Sequence, residues 1–204
     1  MNFLITGRYK IIKKKLFFYL DEGWKNYFKS LKSNFKLYNP KMRKNLLLNH
    51  DCLIISGGGD IFNISQSKND FYRDNLELKL IKLYIKKKKP IITICRGFQL
   101  IANYYKNKLL KIREHANKNH FLIIKKNLII KKKKIITNSY HNYGFSKLNN
   151  KFQIIGKTKD NSIEIALIKN KKTLCLMFHP ERKNKNQNSI NKLILNFLDL
   201  NICN

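Results

Sequence analysis

Hydrophobic positions along this chain follow two rhythms in turn. Short, nearly unbroken apolar runs of strand length give way to stretches where apolar residues recur three or four places apart. Unbroken runs predict strands buried on both faces, and the wider spacing predicts helices with one apolar stripe. Residues 3–6, 35–38 and 52–56 read as strands, while Leu20, Trp24, Phe28 and Leu31 mark a helix running to Lys32. Leu76, Leu80, Leu83 and Tyr84 mark a second helix from Arg73 to about Lys87, after which Pro90 opens the strand that leads to Cys95. The later half is richer in strands, at 121–124, 128–130, 135–137, 152–158, 162–168 and 173–178. A closing helix over 189–200 turns Ile190, Leu193, Ile194, Phe197 and Leu198 inward.

Strands alternating with helices predict an α/β architecture: three layers, a mostly parallel central sheet flanked by helices, with extra strands in the second half. The 204 residues suffice for one substantial core, and no linker, repeat or break in composition divides them, so 1–204 is read as a single domain.

Charge changes this picture less than its size suggests. The formal net charge is +31, yet hydrophobic residues make up 43% of the chain, enough to build a core. The lysine runs at 13–15, 86–89 and 131–134 fall at the ends of predicted elements, where solvated charge belongs. Without the interleaved aromatics of a nucleic-acid module, the chain is expected to have no nucleic-acid partner. A residual attraction for phosphorylated substrates is consistent with the same surface. No run reaches membrane-spanning length, and the first residues lack the basic region and cleavage site of a secretory signal. A cytoplasmic location without membrane contact is therefore expected, and oligomeric state is left open. Cys52, Cys95, Cys175 and Cys203 are widely spaced with no paired CxxC, which argues against a disulfide framework or structural zinc.

Two segments carry the chemistry. Cys95 follows an apolar strand and precedes an apolar-faced helix, so its thiol sits at a turn with a helix amino terminus pointing at it. Gly97 permits close backbone approach, and the N–H of Arg96 is placed to donate to a developing oxyanion. His179 ends a later strand, and Pro180 biases it to an extended conformation. Positions two apart then face one side, so Glu181 can hold one ring nitrogen and leave the other for Cys95. Gly57, Gly58 and Gly59 close another buried strand at the same sheet edge, where their N–H groups can turn toward a ligand. Arg8 and Arg73 could bind a carboxylate or phosphate, or lie on the surface. His115 and His120 could line the mouth of the site. With no third ligand in view they make a poor metal centre, so neither metal nor cofactor is expected.

These segments, 56–61, 94–100, 138–144 and 178–182, resemble in sequence order the motifs of class I glutamine amidotransferase-like proteins. More narrowly they are similar to the stand-alone γ-glutamyl amide hydrolase branch, which also has counterparts of Thr6-Gly-Arg8, of 20–24 and of Arg73-Asp74-x-x-Glu77. The resemblance covers nearly the whole chain. It implies a flavodoxin-like fold and a hydrolase that cleaves a γ-glutamyl–nitrogen bond through a thioester on Cys95, with His179 and Glu181 as base and orienter. It further implies Gly58 and Arg96 as oxyanion donors, with Gln99, His141 and Arg8 as substrate contacts. The substrate would be a small γ-glutamyl compound whose leaving group can be nucleotide-linked. A glutaminase subunit feeding a separate synthetase is the nearest alternative, and a nucleic-acid binder on a retired scaffold is a remoter one. One departure is Thr93, where the family has glycine two places before the cysteine.

Overall fold

A computed structural model describes residues 1–12 and 15–202. Lys13 and Lys14 of the first lysine run, and Cys203, lie outside the described residues. In chain order the first half comprises β1 (Asn2–Ile5), β2 (Arg8–Ile12), β3 (Lys15–Tyr19), α1 (Gly23–Ser30) and β4 (Asn34–Leu37). It continues with α2 (Lys44–Leu48), β5 (Cys52–Ile55), α3 (Phe62–Ser65), α4 (Lys68–Lys86), β6 (Ile91–Ile94) and α5 (Arg96–Tyr104). The second half adds β7 (Leu110–Lys111), β8 (Ala116–Ile124), β9 (Lys134–Tyr140) and β10 (Tyr143–Gly144). It ends with β11 (Phe152–Lys157), β12 (Ile163–Ile168), β13 (Thr173–Leu176) and α6 (Gln187–Ile202).

The central sheet has nine strands in the order β4-β1-β5-β6-β13-β12-β11-β8-β9. Strands β4, β1, β5, β6 and β13 run parallel, and from β13 outward the pairing turns antiparallel through β12, β11, β8 and β9. Alternation along the parallel strands builds two cores, one on each face. Phe3, Ile5, Cys52, Ile54, Ile92, Ile94, Leu174 and Leu176 face one way, against Trp24 and Phe28 of α1 and Leu193, Ile194 and Phe197 of α6. Leu4, Leu53, Ile55, Ile91 and Cys175 face the other way, against Leu80, Ile81 and Tyr84 of α4 and Phe98 and Ile101 of α5. A strand covered on both sides has no polar face to show, which is why these segments read as continuous apolar runs.

The departures from expectation have local causes. Helix α4 starts at Lys68 rather than Arg73, because Ser67 caps it by accepting the Asp70 N–H at 3.1 Å. The expected strand at 128–130 does not form. Asn127 Oδ1 instead accepts the N–H groups of both Ile129 and Ile130 at 3.0 Å, curling the chain so that Leu128 projects outward and the two isoleucines pack inward. The β2–β3 ribbon was not apparent from the pattern, since its strands pair only with each other, in a two-stranded antiparallel sheet apart from the central one.

Candidate active site

Three neighbouring parallel strands, β5, β6 and β13, end at the same edge of the sheet and deliver Ser56–Gly58, Cys95 and His179 there. Carboxyl ends of parallel strands are where open α/β sheets place their ligands. Cys95 occupies the turn between β6 and α5 with φ 47° and ψ −102°, outside the regions open to a side-chain-bearing residue. Such a conformation costs on the order of 1–3 kcal/mol and persists only where its surroundings enforce it. Here the Cys95 N–H donates to Leu176 O at 2.7 Å and its carbonyl accepts the Gln99 N–H at 3.0 Å, tying the turn to β13 and to the first turn of α5. Cys95 is thereby the cap of α5, beside backbone N–H groups that have no partner within the helix. The turn forms with Thr93 in place, fully buried within β6 and paired with Cys175.

His179 is held from two directions. Its N–H donates to Asn138 Oδ1 at 2.9 Å, and its carbonyl accepts from Asn138 Nδ2 at 2.8 Å and from Asn184 Nδ2 at 3.0 Å. Its Nδ1 stands 2.6 Å from Glu181 Oε1, and both side chains are buried. Burial alone would push the His179 imidazole down. The hydrogen bond and charge of Cys95, followed by those of Glu181, outweigh this and hold it up at about 10. His179 thus interacts with Cys95 as well as with Glu181.

Gly57 lies against this pair so closely that a Cβ there would come 2.6 Å from His179 Cε1 and 3.4 Å from Cys95 Cβ. Gly58 has φ +90°, a conformation that favours glycine. Arg73 holds this loop in shape from below. Its guanidinium donates to the carbonyls of Ser56, Gly57 and Gly58, the last at 2.6 Å, and its Nε bonds Glu77 Oε1 at 3.0 Å. Glu77 also accepts from Thr6 Oγ1 at 2.9 Å and pairs with the fully buried Arg96 guanidinium, which reaches Asp74 as well. Burial would raise the Glu77 carboxyl, but Arg73 and Arg96 override it and hold it below its usual range. Of the two roles open to Arg73, neither holds: it is buried and committed to the protein's own carbonyls.

Arg8 does reach the site. Its guanidinium lies over Gly58, where an added Cβ would meet Nε at 2.0 Å, and it pairs with Asp21 at 3.0 Å while remaining about a third exposed. Arg182 approaches the same Asp21 at 3.8 Å and lies over the Tyr140 ring. Gln99 is one turn along α5, with its Nε2 donating to Tyr143 O at 2.8 Å. His141, expected against the substrate, turns its Nε2 to Glu164 Oε1 at 3.2 Å, in a cluster with His115. His115 and His120 thus do acquire further donors nearby, because β12 brings Glu164 beside the loop after β9. They line a cleft of their own with Asp160.

Sequence reasoning missed Asn138, Asn184 and Gly23. Asn138 stood inside a recognised motif, but only the fold reveals that it clamps a backbone forty-one positions away. Gly23 starts α1 against the carbonyl of Glu181, which would lie 2.7 Å from a Cβ at that position. No helix among the described residues is long and apolar enough to cross a membrane.

A strained cysteine at a strand–helix turn, with a histidine–carboxylate pair just beyond the neighbouring strand, makes a candidate nucleophile site on an α/β sheet. Residues 20–198 match the family described as glutamine amidotransferase class-I, and the chain belongs to it. Over 132 residues it is 32% identical to the γ-glutamyl-CDP-amidate hydrolase of Campylobacter jejuni, an alignment covering 65% of this chain and 62% of that relative. The match thus spans less than two thirds of the relative's length. A putative glutamine amidotransferase-like protein of Lactococcus lactis is 25% identical over 68% of this chain and 69% of its own. Among solved structures, a glutamine amidotransferase from Thermotoga maritima superposes with a TM-score of 0.74 at 12% identity, covering 98% of this chain and 97% of that one. The PurLQS structure from the same organism gives 0.73 at 16% identity, covering 98% of each chain. These two likenesses bear on the fold.

Proposed function

We propose that this protein is a cysteine-dependent hydrolase that cleaves a γ-glutamyl–nitrogen bond and releases glutamate. The observation that carries the reading is the strained Cys95 turn, with His179 held beside it by Glu181. In this reading the Cys95 sulfur attacks the γ-carbonyl carbon and its proton passes to His179. The oxyanion is met by the N–H groups of Gly58 and Arg96, which Arg73 and the α5 terminus hold in place. His179 then protonates the departing nitrogen, leaving a γ-glutamyl thioester, and afterwards takes a proton from the water that hydrolyses it. Glu181 keeps the imidazole oriented throughout. Gln99 lines the glutamyl pocket. Arg8, with Arg182 close by, offers guanidinium groups to an anionic leaving group.

The substrate we favour is γ-glutamyl-CDP-amidate, yielding CDP-amidate and glutamate in capsular polysaccharide phosphoramidate synthesis. The similarity to the Campylobacter jejuni relative and the arginine pair at the mouth both support it. Purified protein is tested against γ-glutamyl-CDP-amidate, γ-glutamyl-aminobutyrate and glutamine, with glutamate release as readout. Turnover of the first compound without a partner is expected, and Cys95→Ala should abolish it. Activity on glutamine alone, appearing only with an added synthetase, would instead favour an ammonia-supplying glutaminase subunit. Undiminished activity in the alanine variant would overturn the mechanism.

A further inference from the structure

Away from Cys95, three buried side chains from separate parts of the antiparallel half converge. His115 precedes β8, His141 follows β9, and Glu164 lies in β12. Their relative exposures are 3%, 3% and 0%, which makes this one of the most deeply buried ionisable clusters in the chain. Glu164 Oε1 lies 3.2 Å from His141 Nε2 and 3.7 Å from His115 Nδ1, and one donor atom from each residue falls within 4.8 Å of the others.

Hydrogen bonds account for only part of this arrangement: Glu164 Oε1 takes His141 Nε2 at 3.2 Å and the Ser162 hydroxyl at 3.3 Å, which leaves His115 Nδ1 as the orphan facing it at 3.7 Å. His115 Nδ1, His141 Nδ1 and Glu164 Oε2 are all buried without a hydrogen-bond partner among the described residues, as is His120 Nε2. Buried polar atoms are rarely left so, and each orphan costs about 1–3 kcal/mol. Donors around a tetrahedral zinc ion, at bond lengths of about 2.0–2.1 Å, stand roughly 3.3 Å apart, close to both distances here. The surroundings fit as well. His115 Nε2 is held at 2.8 Å by Asp160 Oδ2, and Asp160 in turn accepts from Thr158 Oγ1 and from the Ser162 N–H. That carboxylate fixes the ring with Nδ1 turned toward Glu164, as outer carboxylates do for metal-bound histidines. His120 stacks on His115 with ring centroids 4.1 Å apart. A cleft of about 580 Å³ lined by His115, His120 and Asp160 opens at the His115 side of the cluster.

We propose that His115, His141 and Glu164 form a binding site for a divalent transition-metal ion, with Zn2+ the best match to two imidazoles and one carboxylate. Bound there, the ion ties β12 to the segments flanking β8 and β9 and fastens the antiparallel half of the sheet. This inference is independent of the hydrolase reading, because its test measures metal and not glutamate.

The test uses full-length Cys95→Ser protein, which removes the thiol at the sheet edge as a competing ligand, titrated with Co2+ as a spectroscopic probe. One equivalent per chain is expected to produce the strong visible d–d absorption of a low-coordinate site, to be displaced by Zn2+ and to raise the melting temperature. Glu164→Gln and His115→Asn should abolish the signal, with far-UV circular dichroism reporting their folding. Asp160 is half-exposed, so Asp160→Asn keeps the fold and should weaken Co2+ binding roughly 10-fold or more. Failure of the folded Cys95→Ser protein to bind stoichiometric Co2+ would overturn the proposal. An affinity unchanged by Asp160→Asn would do the same.

Discussion

His179 and His141 are both buried imidazoles set against a buried carboxylate, yet their surroundings differ in one decisive respect. His179 has a sulfur on its other side and sits at the edge where three parallel strands end. His141 has a second imidazole nearby and an orphaned ring nitrogen, inside the antiparallel half. On the proposed reading, the carboxylate of the first holds a histidine toward Cys95, and a proton passes between sulfur and ring. In the second, one donor atom from each of His115, His141 and Glu164 lies within 4.8 Å of the others, the set proposed above to hold a metal ion. The same residue types thus support acid–base chemistry or ligation according to what the backbone places opposite the ring.

The sharpest way to break this contrast is to remove the carboxylate from the first assembly. Glu181→Gln should lower kcat/KM for a γ-glutamyl amide by about 10²–10⁴, the range seen when the orienting acid of a triad is lost. The pH profile adds an independent sign. On the proposed reading, Cys95 and Glu181 hold His179 up at about 10, so the ring keeps the proton it takes from Cys95 until the leaving nitrogen claims it. Stability from this raised group is fully present below its unfolded value near 6.5 and is lost as pH rises through about 10. The alkaline fall in both activity and melting temperature should therefore move to lower pH in Glu181→Gln. An unmoved alkaline limb would show that Glu181 does not govern the ring.

The next effect in size concerns stability. Glu77 sits under the Gly57–Gly58 loop, bonded to Arg73, Arg96 and Thr6. Removing one charge from a buried network strands its partners, so Glu77→Gln should cost about 3–5 kcal/mol in urea unfolding. Its folded carboxyl is depressed below the usual 4.5, so the stabilisation it gives is present above that value and lost as pH falls through the folded one. Wild-type protein should lose stability on that acid limb, and the glutamine variant should lack this component. Equal acid sensitivity in both proteins would count against the network.

Legibility followed the topology. In the parallel half, Cys95 and Gly57–Gly58 each follow directly on the strand that positions them, so an apolar run ending at either one predicted both the element and the shared sheet edge from local pattern. Glu181 was legible for the same reason, being two residues from His179. In the antiparallel half the relevant neighbours come from distant segments: His115, His141 and Glu164 meet only because β8, β9, β11 and β12 lie side by side. No spacing rule joins them, and His115 with His120 alone looked like an incomplete site. Asn138 was hidden similarly, since its partners are backbone atoms at 179 and 183. Arg73 misled for the opposite reason. An arginine on a helix suggests a ligand or solvent, and only the fold reveals three carbonyls aimed at it.

The smallest predicted effect tests how firmly the first assembly is braced from outside. Gly23 begins α1, and a Cβ there would stand 2.7 Å from the Glu181 carbonyl oxygen and 3.7 Å from its Cγ. Backbone at that distance must move, and Glu181 would move with it. Alanine is otherwise favourable in a helix, by up to about 1 kcal/mol over glycine, so Gly23→Ala should remain folded. A displacement of a few tenths of an ångström in the orienting acid should lower kcat about tenfold, equivalent to about 1.4 kcal/mol, with KM little changed. Binding of Co2+ at the His115–His141–Glu164 cluster should be indifferent to this substitution, since Gly23 packs on the other assembly. A variant that lost metal binding and kept its kcat would reverse the roles assigned to the two histidines.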